Sequence, residues 1–269
     1  MPDVAIAQMC SSSDVNENLV VVKNLVEQAA HNSAQMILLP ENFAYMGRNE
    51  QDKLSIAETP GEGLIQDFIK TLAIQNNIWI IAGTIPLYSH DINRVFAACM
   101  VYNNKGEQCA RYDKIHLFDV QVSEAESHRE SATIVPGTNV VTVDTPFGCV
   151  GLSVCYDLRF AELYRILLKK GAEIFVVPSA FTATTGKAHW QTLLRARAIE
   201  NLSYVLAANQ CGTHFKGRET WGHSMAVDPW GRILAECAET PGIILANINR
   251  KEIEQIRKRF PCNEHHVLD

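Results

Sequence analysis

Apolar and polar positions follow two rhythms along this chain. Short apolar runs of strand length, such as Val4–Cys10 and Met36–Leu39, alternate with stretches whose apolar residues fall three and four apart. Asp14 reads as the N-cap of a helix over Val15–His31, which puts Leu19, Val22, Leu25 and Val26 on one face. A second helix is expected over Gly63–Asn76, after the turn Pro60-Gly61-Glu62-Gly63. Strands follow at Ile78–Thr84, Arg94–Tyr102 and Gln108–Tyr112. The last two flank Asn103-Asn104-Lys105-Gly106, which has the residues a hairpin turn needs.

The second half has the same character. Strands at Val140–Asp144 and Cys149–Val154 surround the turn Pro146-Phe147-Gly148, and a helix from Ala161 ends before Gly171, a natural C-cap. Strands at Glu173–Val177 and Leu202–Ala207 bracket a helix over His189–Glu200. Ser224–Asp228 and Ile233–Cys237 flank Pro229-Trp230-Gly231, Gly242–Ile248 is a last strand, and residues 250–259 form a basic helix. Units of the βαβ kind mixed with hairpins imply a mixed α/β sheet arrangement, not a purely parallel one. No composition break or low-complexity linker divides the chain, so residues 1–269 are expected to form a single domain.

Composition narrows the possibilities. With 47% hydrophobic and 20% charged residues the chain is ordinary for a globular protein that buries a sizeable core. Its formal net charge of −6 leaves no basic footprint for nucleic acid or an anionic membrane. No apolar run approaches the ~18 residues of a membrane span. The start, Met1-Pro2-Asp3-Val4, lacks a basic leader and reads as the approach to a first strand, so a cytoplasmic location is expected. The eight cysteines then read as reduced thiols, and none forms a CxxC pair that would suggest zinc or thioredoxin-like chemistry. Asn263-Glu264-His265-His266 has metal-ligand residue types but reads as a polar tail; neither a metal nor a cofactor is implied.

Three strand ends carry chemistry. Cys155 closes the run Cys149-Val150-Gly151-Leu152-Ser153-Val154, and a helix-like pattern begins just beyond it. A thiol on a sharp strand-to-helix turn projects from the backbone, and the positive end of a following helix would favour its thiolate. A buried cysteine that only fills space is the plain alternative. Glu41 follows the apolar run Met36-Ile37-Leu38-Leu39-Pro40, and Lys114 follows Arg111-Tyr112-Asp113. In α/β proteins the carboxyl ends of strands converge on the ligand crevice, so a nucleophile, a base and a cation could meet there. Each residue alone reads equally well as solvated or structural.

Together they resemble the nitrilase superfamily of carbon–nitrogen hydrolases, whose signature is a Glu–Lys–Cys triad. The matching stretches are LLPENF at Glu41, YDKIHLFD at Lys114 and GLSVCYDLRF at Cys155, and the likeness continues through residues 177–201 and 221–236. TGKAHW, RARAIEN and GHSMAVDPWG look most like the small amidases that hydrolyse deaminated glutathione. The resemblance implies a four-layer αββα sandwich of two mixed sheets flanked by helices. It also implies a Cys155 nucleophile that forms a thioester, a Glu41 general base, and a Lys114 cation facing the oxyanion with help from the Tyr156 amide. Glu130 matches a second glutamate that the family carries, although Glu124 and Glu126 lie on the same loop. The same triad would serve a nitrilase or an N-carbamoyl amino acid amidohydrolase, and an idle protein could keep the fold for binding. Family members associate, so a homo-oligomer, dimer or higher, is expected, with the stretch after Cys155 and the C-terminal helix as candidate contacts.

Other residues are weaker candidates. Tyr45 is placed at the pocket mouth, and Ser179, Phe181 and Thr182 begin a loop that could read the substrate, with Tyr156 beside the nucleophile. The polar stretch Val120–Pro136 lies between Lys114 and Cys155 and reads as a lip of the site. Asp157 and Arg159 read as an ion pair pinning the turn, Arg197 and Glu200 as i,i+3 partners, and His116 as a structural hydrogen-bonding residue.

Overall fold

The computed structural model describes residues 3–122, 124, 126–265 and 267. In chain order the first half runs β1 (Val4–Gln8), α1 (Val15–His31), β2 (Met36–Leu38), α2 (Leu64–Asn76), β3 (Trp79–Tyr88), β4 (Val95–Tyr102) and β5 (Gln108–Asp113). A small hairpin of β6 (Asp119–Gln121) and β7 (Ser127–Arg129) follows. Then come β8 (Thr142–Thr145), β9 (Gly148–Leu152), α3 (Ala161–Lys169), β10 (Ile174–Ser179), α4 (Ala183–Asn201) and β11 (Tyr204–Asn209). The chain ends with β12 (Cys211–Thr213), β13 (Glu219–Trp221), β14 (Met225–Val227), β15 (Ile233–Glu236), β16 (Gly242–Ala246) and α5 (Arg250–Arg259).

Two six-stranded sheets carry the fold, ordered β16-β1-β2-β3-β4-β5 and β15-β14-β11-β10-β9-β8. At the centre of each is a parallel trio joined by helices, β1-α1-β2-α2-β3 and β9-α3-β10-α4-β11, with antiparallel strands outside it. Strand alternation sets the layers. Val4 and Ile6 of β1 join the core between the two sheets, while Ala5 and Ala7 face the core that α1 and α2 cover. On the other side α3 and α4 pack on the second sheet, where Tyr164 meets Phe175 edge-on at 5.2 Å. The expected four-layer αββα sandwich of mixed sheets is therefore what this chain forms. Among the described residues, no helix is long and apolar enough to cross a membrane.

Local expectations and structure agree best where the pattern is long. α1 runs over the expected span, and the Asp14 side chain accepts from the Glu17 amide at 3.0 Å. α4 differs: it starts at Ala183, six residues before His189. Thr182 caps it, and Gly186 lies so close against Trp221 that a Cβ would collide with the indole. Tertiary packing thus holds in the helix a Thr-Thr-Gly run whose own propensity is poor. β9 stops at Leu152 rather than Val154, and β10 runs on to Ser179. The polar stretch 120–136 holds most of the β6–β7 hairpin, which pairs Asp119 with Arg129, and a turn at Glu130–Ala132; Ser123 and Ala125 lie outside the described residues.

Candidate active site

Glu41 is fixed from both sheets. β3 passes so close to the Pro40 carbonyl that only a glycine fits at position 83. The Asn42 amide donates to Thr84 Oγ1 at 2.9 Å, and Gln210 Nε2 from beyond β11 donates to the Glu41 carbonyl at 3.0 Å. Lys114 leaves β5 with its amide bonded to the Ala97 carbonyl at 3.0 Å and its carbonyl accepting from Gly137 N at 2.9 Å. Cys155 opens a five-residue 3₁₀ turn with φ of 48°, left-handed backbone that a non-glycine residue adopts only when its surroundings impose it.

Asp157 does much of that imposing. It is fully buried and accepts from Val154 N at 2.8 Å, Tyr112 OH at 2.7 Å and His116 N at 3.0 Å, with His116 Nδ1 at 2.7 Å. His116 also stacks on Phe160 with ring centroids 3.7 Å apart. The Leu158 carbonyl receives Arg197 Nε and Nη2 at 3.0 and 2.8 Å, and Arg197 bonds Glu200 at 2.9 Å, the expected i,i+3 pair.

Four titratable side chains meet above this turn. Lys114 Nζ lies 2.8 Å from Glu41 Oε1 and 2.9 Å from both oxygens of Glu130. Glu41 Oε2 accepts from Ala180 N at 2.9 Å, and Glu130 Oε2 accepts from Phe118 N at 2.7 Å. The Cys155 thiol lies within hydrogen-bonding reach of Glu41. Lys114 is only 1% exposed and Glu41 4%. Burial opposes both charges, yet the pair survives it: the ammonium sits between two carboxylates and is held well above its usual pKa, while Lys114 holds Glu41 below its own. Burial first, then the charge of Glu41, pushes the Cys155 thiol up by more than Lys114 lowers it. The resting sulfur is therefore a thiol. α3 begins only six residues later, at Ala161, so the helix start expected to favour a thiolate does not lie at Cys155.

The cluster floors a cleft of about 480 Å³, open mouth included, with Phe118, Tyr156 and Phe181 as walls. Lys53, His128, Arg159 and Arg218 give its upper lining a basic character. The carbon-nitrogen hydrolase family model matches residues 3–258. This chain belongs to that family.

Relatives of the hydrolase match it over nearly the whole of this chain. The deaminated glutathione amidase of Synechocystis is 42% identical over 267 residues, covering 98% of this chain and 97% of that one. The Homo sapiens deaminated glutathione amidase is 39% identical over 273 residues, covering 100% of this chain and 83% of that one. The crystal structure of Caenorhabditis elegans NitFhit superimposes with a TM-score of 0.90 at 38% identity, covering 98% of this chain and 64% of that one, so this chain spans a little under two thirds of the worm protein. Saccharomyces cerevisiae Nit3, a member of branch 10 of the nitrilase superfamily, gives 0.86 at 31% identity, covering 96% and 93%. The hydrolase is thus an enzyme of the nitrilase superfamily, an amidase acting on non-peptide C–N bonds.

Of the residues expected at its site, Glu41, Lys114, Glu130 and Cys155 come together, and Tyr156, Phe181 and Thr182 line the cleft. Tyr45 and Ser179 are not in the lining. Tyr45 packs beside Gly47 and Asp52, and Ser179 is fully buried with its hydroxyl on the Val177 carbonyl. Glu126 lies near His128 at 3.1 Å, outside the cluster. The expected Asp157–Arg159 ion pair is absent: Asp157 is saturated by other donors, and Arg159 turns into the cleft. Sequence reasoning missed Arg159, Lys53, His128 and Arg218 as lining residues. Arg159 carried a local signal, its place on the turn that Cys155 opens, and His128 lies in the stretch expected to form a lip of the site. In the tail tract Asn263 Nδ2 donates to the Asn201 carbonyl at 3.0 Å, and His266 lies outside the described residues.

Proposed function

We propose that the protein hydrolyses a small linear primary amide, deaminated glutathione or a related 2-oxo acid amide such as 2-oxoglutaramate, through a thioester on Cys155. The observation that carries this reading is the buried Lys114 ammonium shared by Glu41 and Glu130 directly beside the Cys155 thiol. The named relatives support the substrate class.

In the reading, Glu41 takes the thiol proton as sulfur attacks the amide carbon. A free thiolate never has to accumulate beside two carboxylates, so the raised pKa of Cys155 and the lowered one of Glu41 are both tolerable. The negative oxygen of the tetrahedral intermediate faces Lys114 and the Tyr156 amide, which are preorganised in a site largely shielded from water. Glu41 then passes its proton to the departing ammonia and later takes one from the water that attacks the thioester. Collapse of that second intermediate expels sulfur, which recovers the proton from Glu41. Glu130 holds Lys114 in place throughout.

The reading further takes residues 1–269 as one catalytic domain working without a cofactor. Eight unpaired cysteines suit a reducing, cytoplasmic setting. Exposed Ile166 on α3 and Phe260 after α5 suit a homo-oligomer, dimer or higher. The test is ammonia release from deaminated glutathione, 2-oxoglutaramate, an N-carbamoyl amino acid and a simple nitrile, with Cys155→Ala as control. Turnover of either of the first two, lost in the variant, is the expected result. Activity confined to the carbamoyl compound or the nitrile would overturn the substrate assignment.

A further inference from the structure

Just beyond the carboxyl end of β10 a backbone amide points at the Lys114 cluster. Ala180 N donates to Glu41 Oε2 at 2.9 Å. Burial and the charge of Glu41 raise the Cys155 thiol, while Lys114 and the Ala180 amide act against them, so this N–H bears on Glu41 and Cys155 together. The aim of a backbone amide is set by the peptides around it. In the Ser179–Ala180 peptide the carbonyl points opposite to the N–H, and it accepts from Gln210 N at 3.0 Å. In the next peptide Phe181 N donates to Asn209 Oδ1 at 3.0 Å, and the Phe181 carbonyl accepts from Trp221 N at 2.9 Å.

Asn209 thus holds this segment through its side chain. It is the last residue of β11, pairs with Ser179 across the sheet and is fully buried. Its partners fix both ends of the carboxamide. Oδ1 accepts from Phe181 N, and Nδ2 donates to the Gly222 carbonyl at 2.7 Å. Its own amide donates to Ser224 Oγ at 2.9 Å. A buried carboxamide whose donor and acceptor are both engaged keeps one orientation.

We propose that Asn209 is a positioning residue for the reaction: through Phe181 N it aims the Ala180 amide at Glu41 and so keeps the base turned to Cys155. This rests on the general-base role of Glu41 proposed above and names a group that sustains it. Asn209 touches neither the substrate nor the reacting atoms. It therefore acts on kcat and on the ionisation of Glu41, with little effect on KM.

The test removes the Asn209–Phe181 bond from each end in turn. Asn209→Ser is too short to reach, and Phe181→phenyllactate, a backbone ester, deletes the Phe181 N–H and leaves every side chain in place. On 2-oxoglutaramate both should lower kcat about 10- to 100-fold with a much smaller change in KM. A carboxylate that loses a donor is a weaker acid, so the acid limb of kcat/KM should move up by about half a pH unit or more. Alkylation of Cys155 by iodoacetamide, read by peptide mass against the exposed Cys109, should slow, whereas a site that had merely loosened would react faster. Asn209→Asp, held neutral by burial, offers the same one acceptor and one donor and should restore most of kcat.

A kcat, acid limb and alkylation rate all unchanged in the ester variant would overturn the proposal, whether Asn209→Ser folds or not. Activity lost only in proportion to the folded fraction, with the acid limb unmoved, would overturn it too. If wild type releases no ammonia from any amide, the proposed hydrolysis is wrong. Asn209 is then judged on alkylation alone: slowing in the ester variant keeps its hold on the Ala180 amide, and an unaltered or faster rate removes it.

Discussion

Two buried carboxylate clusters flank the Cys155 turn, and they differ in one respect. Around Asp157 the donors come from Val154, Tyr112 and His116, the carboxylate is fully buried, and no face of it meets the cleft. Around Lys114 two carboxylates share one ammonium, and the group forms the floor of a cleft beside a protonated thiol. A closed network of this kind fixes geometry, here the left-handed backbone of Cys155. The open one keeps a carboxylate oxygen within reach of a transferable proton. Similar ingredients thus give a scaffold on one side of the turn and the proposed reaction site on the other.

Substitutions on the two sides should therefore separate. The largest effect is expected for Cys155→Ala, which should lower ammonia release roughly 10⁴-fold or more while the unfolding temperature hardly moves. Glu41→Gln removes the proton acceptor and should lower kcat/KM about 10²- to 10⁴-fold, again with the fold retained by circular dichroism. Glu130→Gln leaves Lys114 its bond to Glu41, so a loss of about tenfold in kcat is expected; unchanged turnover and stability together would remove Glu130 from the site.

The Asp157 side should show the reverse. Asp157→Asn cannot accept from all its donors, and a stability loss of about 2–4 kcal/mol is expected in denaturant titrations. Tyr112→Phe removes one donor, and its loss should be nearer ~1–2 kcal/mol. A variant on this side that kept full stability and lost only turnover would break the comparison.

The smallest expected effect is that of pH. Glu41 is lowered, so its base form is present above its depressed pKa and is lost only in more acidic solution. Lys114 and Cys155 are both raised, so ammonium and thiol persist to a pH above their usual values. The kcat/KM for an amide should then be nearly flat between about pH 6 and pH 9. A rise of tenfold per pH unit up to about pH 8.5, the ordinary thiol value, would mean that a free thiolate is the attacking species.

The strands and the strand ends that carry Glu41, Lys114 and Cys155 were legible in the sequence pattern, whereas the four layers and the place of Glu130 came from the family resemblance. Apolar runs such as Met36–Leu38 and Gly148–Leu152 announce strands, and strand ends are where Glu41, Lys114 and Cys155 stand. Relations across long stretches of sequence were not legible. Asp157 is two residues from Arg159 but bonds Tyr112 and His116, 45 and 41 residues away. Burial is collective too, and it pushes the Cys155 thiol opposite to what a local helix-dipole argument suggests. Tyr45 and Ser179 sit in the right segments, but which way a side chain turns is decided by packing that pattern does not encode. The early start of α4 depends on Trp221 meeting Gly186, a contact that no periodicity reveals.

The most direct test of the reaction site is partitioning with hydroxylamine, using the carboxamide and the methyl ester of one acyl group. A common thioester on Cys155 predicts the same hydroxamate-to-acid ratio from both compounds, and neither product from Cys155→Ala. Ratios that differ between the two, or hydroxamate formed by Cys155→Ala, would contradict an acyl-enzyme at Cys155.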